Sequence, residues 1–124
     1  MTMTTPTLVI IITRAGQDPG AATLGFLTAS AALAAGKRTA VLLRGEGVLC
    51  ATPEGWAAGL QAAGYPPLRE VRDAYLAAGG TLYLSQPCLR RYWLDADRGV
   101  LSEARVLGIQ EMAGLYAGAT TVTF

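Results

Sequence analysis

The residues of this chain best suited to chemistry lie in one block, Gly79-Gly80-Thr81-Leu82-Tyr83-Leu84-Ser85-Gln86-Pro87-Cys88. A two-glycine turn leads into an alternating apolar strand. The strand ends in Ser-Gln-Pro-Cys, and Leu89-Arg90-Arg91-Tyr92-Trp93 reads as a following helix. Cys88 therefore falls where a strand ends and a helix begins. Backbone N–H groups at a helix start carry partial positive charge and favour an anion. A thiolate is such an anion, and Arg90 and Arg91 follow within three residues. The chemistry implied is that of a nucleophilic thiol, with Cys88 as the catalytic candidate. Ser85 takes the first position of what would otherwise be a Cys-x-x-Cys motif, so a thioredoxin-type resolving cysteine is missing. The competing reading makes Cys88 a small buried hydrophobe, as most free cysteines are.

Two further places are secondary candidates. Cys50 follows an apolar stretch at what reads as another carboxyl strand end, and a buried structural thiol is the expectation there. A Cys50–Cys88 disulfide would need Cα atoms within about 7 Å. The loop Arg14 to Gly20 (RAGQDPG) joins a strand to a helix, where open α/β sheets tend to bind ligands. It matches neither Gly-x-Gly-x-x-Gly nor the phosphate loop. A satisfied turn with Asp18 as helix cap is expected instead. Trp56, Tyr92 and Trp93 read as core or interface anchors. Asp95, Asp97 and Arg98 read as a solvated loop.

Composition limits the chemistry further. The 124 residues include no histidine and only two cysteines. That removes Ser-His-Asp and Cys-His arrangements and argues against a zinc site within one chain. Neither a metal nor a cofactor is expected. Ten basic and nine acidic residues give a net charge of +1 with no basic block, so no nucleic-acid or membrane partner is implied. The longest strongly apolar run, Leu8 to Ile12, is far short of a membrane span. Met1 to Thr7 has no positive n-region, which points to a cytoplasmic protein. Charged residues are only 15% of the chain, well below the usual quarter. An oligomer would cover the resulting apolar surface.

The elements that must position Cys88 can be read along the chain. Thr7 to Thr13 is a β-branched run, read as a strand buried on both faces. Ala21 to Ala35 reads as a helix closed by Gly36, with only Thr23, Thr28 and Ser30 polar. Such a helix needs cover on more than one side. Lys37 to Arg44 gives a second strand. Gly45-Glu46-Gly47 interrupts it, and Val48 to Ala51 either extends it or forms a loop. Thr52 to Gly64 is weakly helical, with Thr52 and Pro53 at its start. Pro67 to Ala78 is a clear amphipathic helix. Leu68, Val71, Tyr75 and Leu76 lie on one face, and Arg69, Glu70, Arg72 and Asp73 on the other. Thr81 to Ser85 is the third strand, and Cys88 to Trp93 a short helical turn. Val100 to Val106 reads as a small helix and a short strand. Ile109, Met112, Leu115 and Tyr116 share a helix face, and Ala119 to Phe124 is the last strand. The order β-α-β-α-α-β-α-β-α-β predicts one α/β domain over residues 1–124 with a parallel sheet.

The pattern resembles the DsrE/DsrF-like family, which includes the TusD-type sulfur-relay subunits. The matching stretches are IIITRAGQDPGAA, then YPPLREVRDAYLAAGGTLYLSQPC, RGV at Arg98 to Val100, and LGIQEMAGLYAGATTVTF. The chain is most similar to the small single-domain members described as predicted peroxiredoxin-like proteins. The resemblance implies a three-layer α/β/α domain with a five-stranded, mainly parallel sheet, assembled as trimers or hexamers. It also implies a persulfide carried on a cysteine at the end of the Thr81 to Ser85 strand and handed to a partner protein. In TusD-like members that cysteine aligns with Ser85. In members with a Cys-Pro-x-Cys-like turn a second one stands at Cys88.

Two functions of different class follow. One is a small sulfur-carrier or thiol-redox protein acting through Cys88 with a sulfur donor or acceptor protein. The other is an oligomeric binding or scaffold module in which Cys88 is inert. A third reading places a bound anion at the Arg14 loop.

Overall fold

Leu-Val-Ile-Ile-Ile forms β1 (Leu8–Ile12), the strand around which the sheet is built; the computed structural model describes residues 5–53 and 59–124. Alternation along β1 sends Ile10 and Ile12 into one core and Val9 and Ile11 into another. A strand buried on both sides is what a continuous β-branched run provides. Its neighbour β2 (Thr39–Leu43) is buried at every position. With β3 (Thr81–Ser85), β4 (Arg105–Leu107) and β5 (Thr120–Thr123) they form one sheet in the order β4-β3-β2-β1-β5. Every pairing in it is parallel.

The connections decide which helix lies on which face. From β1 to β4 the chain steps in one direction, through α1 (Pro19–Ala34) and α2 (Leu68–Ala77). Phe26, Leu68 and Tyr75 from these helices pack with Ile10, Ile12, Val41 and Leu43. After β4 the chain returns across the whole sheet through α4 (Ile109–Ala117) to β5. Right-handed crossovers in opposite directions fall on opposite faces. Met112 of α4 accordingly packs with Val9, Ile11, Leu42 and Tyr83 on the second face. This is the three-layer α/β/α arrangement expected.

Local chemistry fixes the helix ends. Asp18 Oδ1 accepts the Ala21 N–H at 3.0 Å, and Pro19 opens α1. The helix thus begins two residues before the predicted Ala21. Gly36, with φ at +82°, takes the left-handed position just beyond its end. Thr23, which is buried, and Thr28 turn their hydroxyls back onto the Pro19 and Leu24 carbonyls, and the apolar Leu24 is exposed on the outer face of α1.

Several expectations are corrected. Val48 to Ala51 does not extend β2; it belongs to a 3-10 turn over Gly45–Ala51. The helix read over Thr52 to Gly64 is absent at its described ends, since Thr52, Pro53 and residues 60–64 are not helical. Its middle, with Trp56, lies outside the described residues. Val100 to Val106 contains the first two residues of β4 but no helix. Arg72, placed on the polar face of α2 by spacing, is buried. Its Nη1 donates to the Cys50 and Thr52 carbonyls at 3.1 and 2.7 Å, and its Nε pairs with Asp73 at 2.9 Å. Carbonyls at the end of the 3-10 turn lack helical partners, and the guanidinium supplies the donors.

Candidate functional site

Strand β3 passes directly into α3 (Gln86–Arg91) with no intervening loop. Ser85 is the N-cap residue, Pro87 lies in the first turn, and Cys88 follows it. The helix starts two residues earlier than predicted because Gln-Pro is part of it: proline is pre-organised for a first turn. Cys88 is half-buried against the rim of the larger core. Strands β2 and β3 are in register, Leu43 beside Leu84, so the turn after β2 lies next to the start of α3. There the Gly45 N–H donates to Cys88 Sγ at 3.2 Å. Gly45 has φ +58°, a left-handed conformation that glycine adopts at little cost.

The corner bearing Gly45 is fixed from several sides. The Arg44 N–H donates to the Ile12 carbonyl at 3.0 Å, and Arg44 Nη1 to the Tyr116 hydroxyl at 3.2 Å. Glu46 Oε1 accepts the N–H groups of Ala15 at 2.7 Å and Gln17 at 3.2 Å. Gly47 lies so close to the Ile12 carbonyl that a Cβ there would collide with it. Neither Gly45 nor Glu46 emerges from the sequence as a site residue. The available signal was Gly-Glu-Gly directly after a strand, in a place where a plain turn would not need two glycines.

Glu46 also changes the reading of the Arg14 loop. The backbone donors that an anion would use are held by this chain's own carboxylate. Arg14 is exposed and pairs with Asp18 at 3.2 Å. The loop is a satisfied turn, as the Asp18 cap implied.

The two cysteines are not bridged. Cys50 is fully buried, with Sγ directed at the Arg14 carbonyl at 3.8 Å. Burial pushes its thiol up to about 12; Arg72 opposes this and Glu46 adds to it. A thiol of that kind stays neutral and structural. Ser85 is buried and gives α3 no side-chain cap. Arg90 and Arg91 lie in the last turn of α3, exposed, and neither bonds to Cys88. The sulfur's observed partner is the backbone of Gly45.

The end of α3 holds a second correction. Trp93, read as a core or interface anchor, is 90% exposed and has φ +61°; it is not a core residue. Its N–H bonds the Arg90 carbonyl at 3.2 Å, and the Leu94 N–H bonds the Leu89 carbonyl at 3.0 Å. This is a Schellman ending with tryptophan where glycine usually sits. Tyr92 is half-buried against the larger core. Asp95, Asp97 and Arg98 are exposed, as expected.

A crevice of about 500 Å³ opens beside α3, between Gln86, Pro87 and Arg90 on one wall and Gly108, Ile109 and Glu111 on the other. It lies where the connections of β3 and β4 leave for opposite faces, the usual ligand position in open α/β sheets. Cys88 is not in its wall. Among the described residues no three Asp, Glu, Cys or His side chains gather as a metal site, and no helix is long and apolar enough to cross a membrane.

Comparison with known proteins agrees with this architecture. The chain superposes on the YchN protein from E. coli with a TM-score of 0.77, covering 96% of this chain and 99% of that one at 13% identity. It superposes on MTH1491, a protein of unknown function from Methanobacterium thermoautotrophicum, with a TM-score of 0.67. That match covers 94% and 97% of the two chains at 14% identity. No curated protein matches by sequence. At these identities the two structures establish the fold alone. The sequence itself matches the DsrE/DsrF-like family from residue 7 to residue 124, and the chain belongs to that family.

Proposed function

We propose that this protein is a sulfur carrier or thiol-redox protein that acts through Cys88. The observation that carries the reading is the Gly45 N–H donated to Cys88 Sγ at a strand-to-helix junction. Membership in a family associated with sulfur relay supports it. In the loading step the Cys88 thiolate attacks the terminal sulfur of a donor persulfide. A sulfur–sulfur bond forms at Cys88, the donor's own sulfur–sulfur bond breaks, and the donor leaves as a thiolate that takes the proton. The exchange is redox-neutral and needs neither histidine nor metal. The Gly45 N–H stays on the Cys88 sulfur throughout. Cys50 takes no part, because burial keeps its thiol neutral.

Cyanolysis tests the proposal. Cyanide removes the outer sulfur of a persulfide as thiocyanate and leaves the thiolate. Protein loaded from a small-molecule persulfide should release one thiocyanate per chain, and Cys88→Ser none. Equal release from Cys88→Ser would overturn it.

The working form is proposed to be a homo-oligomer, a trimer or hexamer. Leu24, exposed on the outer face of α1, and the exposed edge strand β5 support this. Light scattering should give a multiple of the 12.9 kDa chain mass; a monomer at micromolar concentration would contradict it.

A further inference from the structure

Most cations of this chain have partners. Arg14 pairs with Asp18, Arg69 and Arg72 with Asp73, and Arg105 with Glu111. Arg44 and Arg38 donate to the Tyr116 hydroxyl and the Thr5 carbonyl. Lys37 and Arg98 are exposed with no side-chain partner among the described residues, and so are Arg90 and Arg91, which form an adjacent pair on one helix. The negative end of the α3 dipole offers them only a weak local benefit.

Trp93 follows directly in the chain. Its left-handed backbone is strained in a way that glycine would avoid, and its large ring is 90% exposed. The Schellman hydrogen bonds hold this backbone in place, but the described fold does not cover the ring. Ile109, 70% exposed, stands across the crevice from Arg90. Trp93 lies two residues beyond the end of α3, and its N–H bonds the Arg90 carbonyl at 3.2 Å. Glu111, the acid on the crevice wall, is already bonded to the Gly108 N–H and to Arg105.

We propose that Arg90, Arg91, Trp93 and Ile109 form a docking surface for an acidic segment of another protein. Carboxylates of that segment pair with the two guanidiniums, and an apolar side chain is held by Trp93 and Ile109. Tryptophan and arginine are the residues that most often dominate a buried interface, and guanidinium binds carboxylate through paired hydrogen bonds. Nucleic acid fits less well: the net charge is +1, Lys37 is the sole lysine, and no run of cations tracks a phosphate backbone. Arg90 lines the crevice and Cys88 does not, while Arg91 lies three residues beyond Cys88, one helical turn along α3. That the docked protein is the sulfur donor or acceptor rests on the function proposed above; the docking surface itself does not.

The test is fluorescence anisotropy with a short fluorescein-labelled peptide of glutamate, aspartate and leucine. Its counterpart with lysine at the acidic positions and a short single-stranded RNA serve as comparisons. The acidic peptide should bind saturably and weaken with salt, and the lysine peptide should not bind. The double variant R90E/R91E should weaken binding about tenfold or more. Trp93→Gly should do the same while folding at least as well, since glycine suits the left-handed position. Cys88→Ser should bind like wild type. Four results would overturn the proposal: no binding of the acidic peptide, equal binding of the lysine peptide, RNA binding that depends on Arg90 and Arg91, or dissociation of a homo-oligomer by Trp93→Gly. Wild-type protein that binds the peptide but releases no thiocyanate after loading would instead sink only the carrier reading.

Discussion

The Gly45 N–H donates to Cys88 Sγ across 3.2 Å, although the two residues are 43 positions apart in the chain. The contact exists because β2 and β3 run parallel and in register, so their carboxyl ends finish together. One strand continues into a 3-10 turn and the other into α3. Gly45 and Cys88 are the first points at which those two continuations meet. What holds the donor in place is the corner that Arg44, Glu46 and Gly47 tie to β1, to the loop that follows it and to α4.

Glu46 is the main tie that can be removed without disturbing the core. Glu46→Ala leaves the Ala15 and Gln17 N–H groups without their acceptor. The expected loss is about 1–3 kcal/mol by denaturant unfolding, if water does not replace the carboxylate. Glu46→Gln keeps an acceptor oxygen and should lose clearly less. Alkylation of Cys88 should follow the same order, with the Ala variant departing furthest from wild type. Identical stability and labelling in all three proteins would remove Glu46 from the account.

Gly45→Ala isolates the backbone conformation. The added methyl meets only the Thr13 carbonyl at ordinary contact distance, so the cost comes from the positive φ. A destabilisation of about 1–2 kcal/mol is expected. A variant as stable as wild type would mean that this turn does not need the left-handed conformation.

These two residues also mark how far the sequence could be read. The β-branched run at Leu8 to Ile12 and the Leu68, Val71, Tyr75 spacing declare their elements, because each pattern matches the period of the structure it forms. The Gly79-Gly80 turn and the strand after it place Cys88 near a helix start. Glu46 and Arg72 stay hidden because their partners are backbone groups 20 to 31 residues away. No local pattern encodes such a pairing. Trp93 misleads for the opposite reason. A large aromatic argues for burial, whereas here backbone hydrogen bonding at the end of α3 places it in the position usual for glycine.

The buried Cys50 thiol predicts a pH dependence. Its pKa is raised in the fold from the ordinary 9.0 to about 12, chiefly by desolvation. The unfolded chain therefore loses this proton first as pH rises. The contribution to stability is complete below pH 9 and is lost progressively between pH 9 and about 12. Tyr75, pushed upward mainly by burial, acts in the same direction. Denaturant unfolding should show stability falling across that range, and Cys50→Ala should reduce the slope. An unchanged slope in that variant would show that Cys50 does not contribute.

The most direct measurement is the intact mass of native protein after exposure to a small-molecule persulfide, made on wild type, Cys50→Ala and Cys88→Ser. One added sulfur, about 32 Da, should appear on wild type and on Cys50→Ala and be absent from Cys88→Ser. Serine at this half-buried position can still accept the Gly45 N–H, so Cys88→Ser should unfold within about 0.5 kcal/mol of wild type. An adduct that persists in Cys88→Ser, or that never forms on wild type, would contradict the assignment of Cys88 as the sulfur-bearing residue.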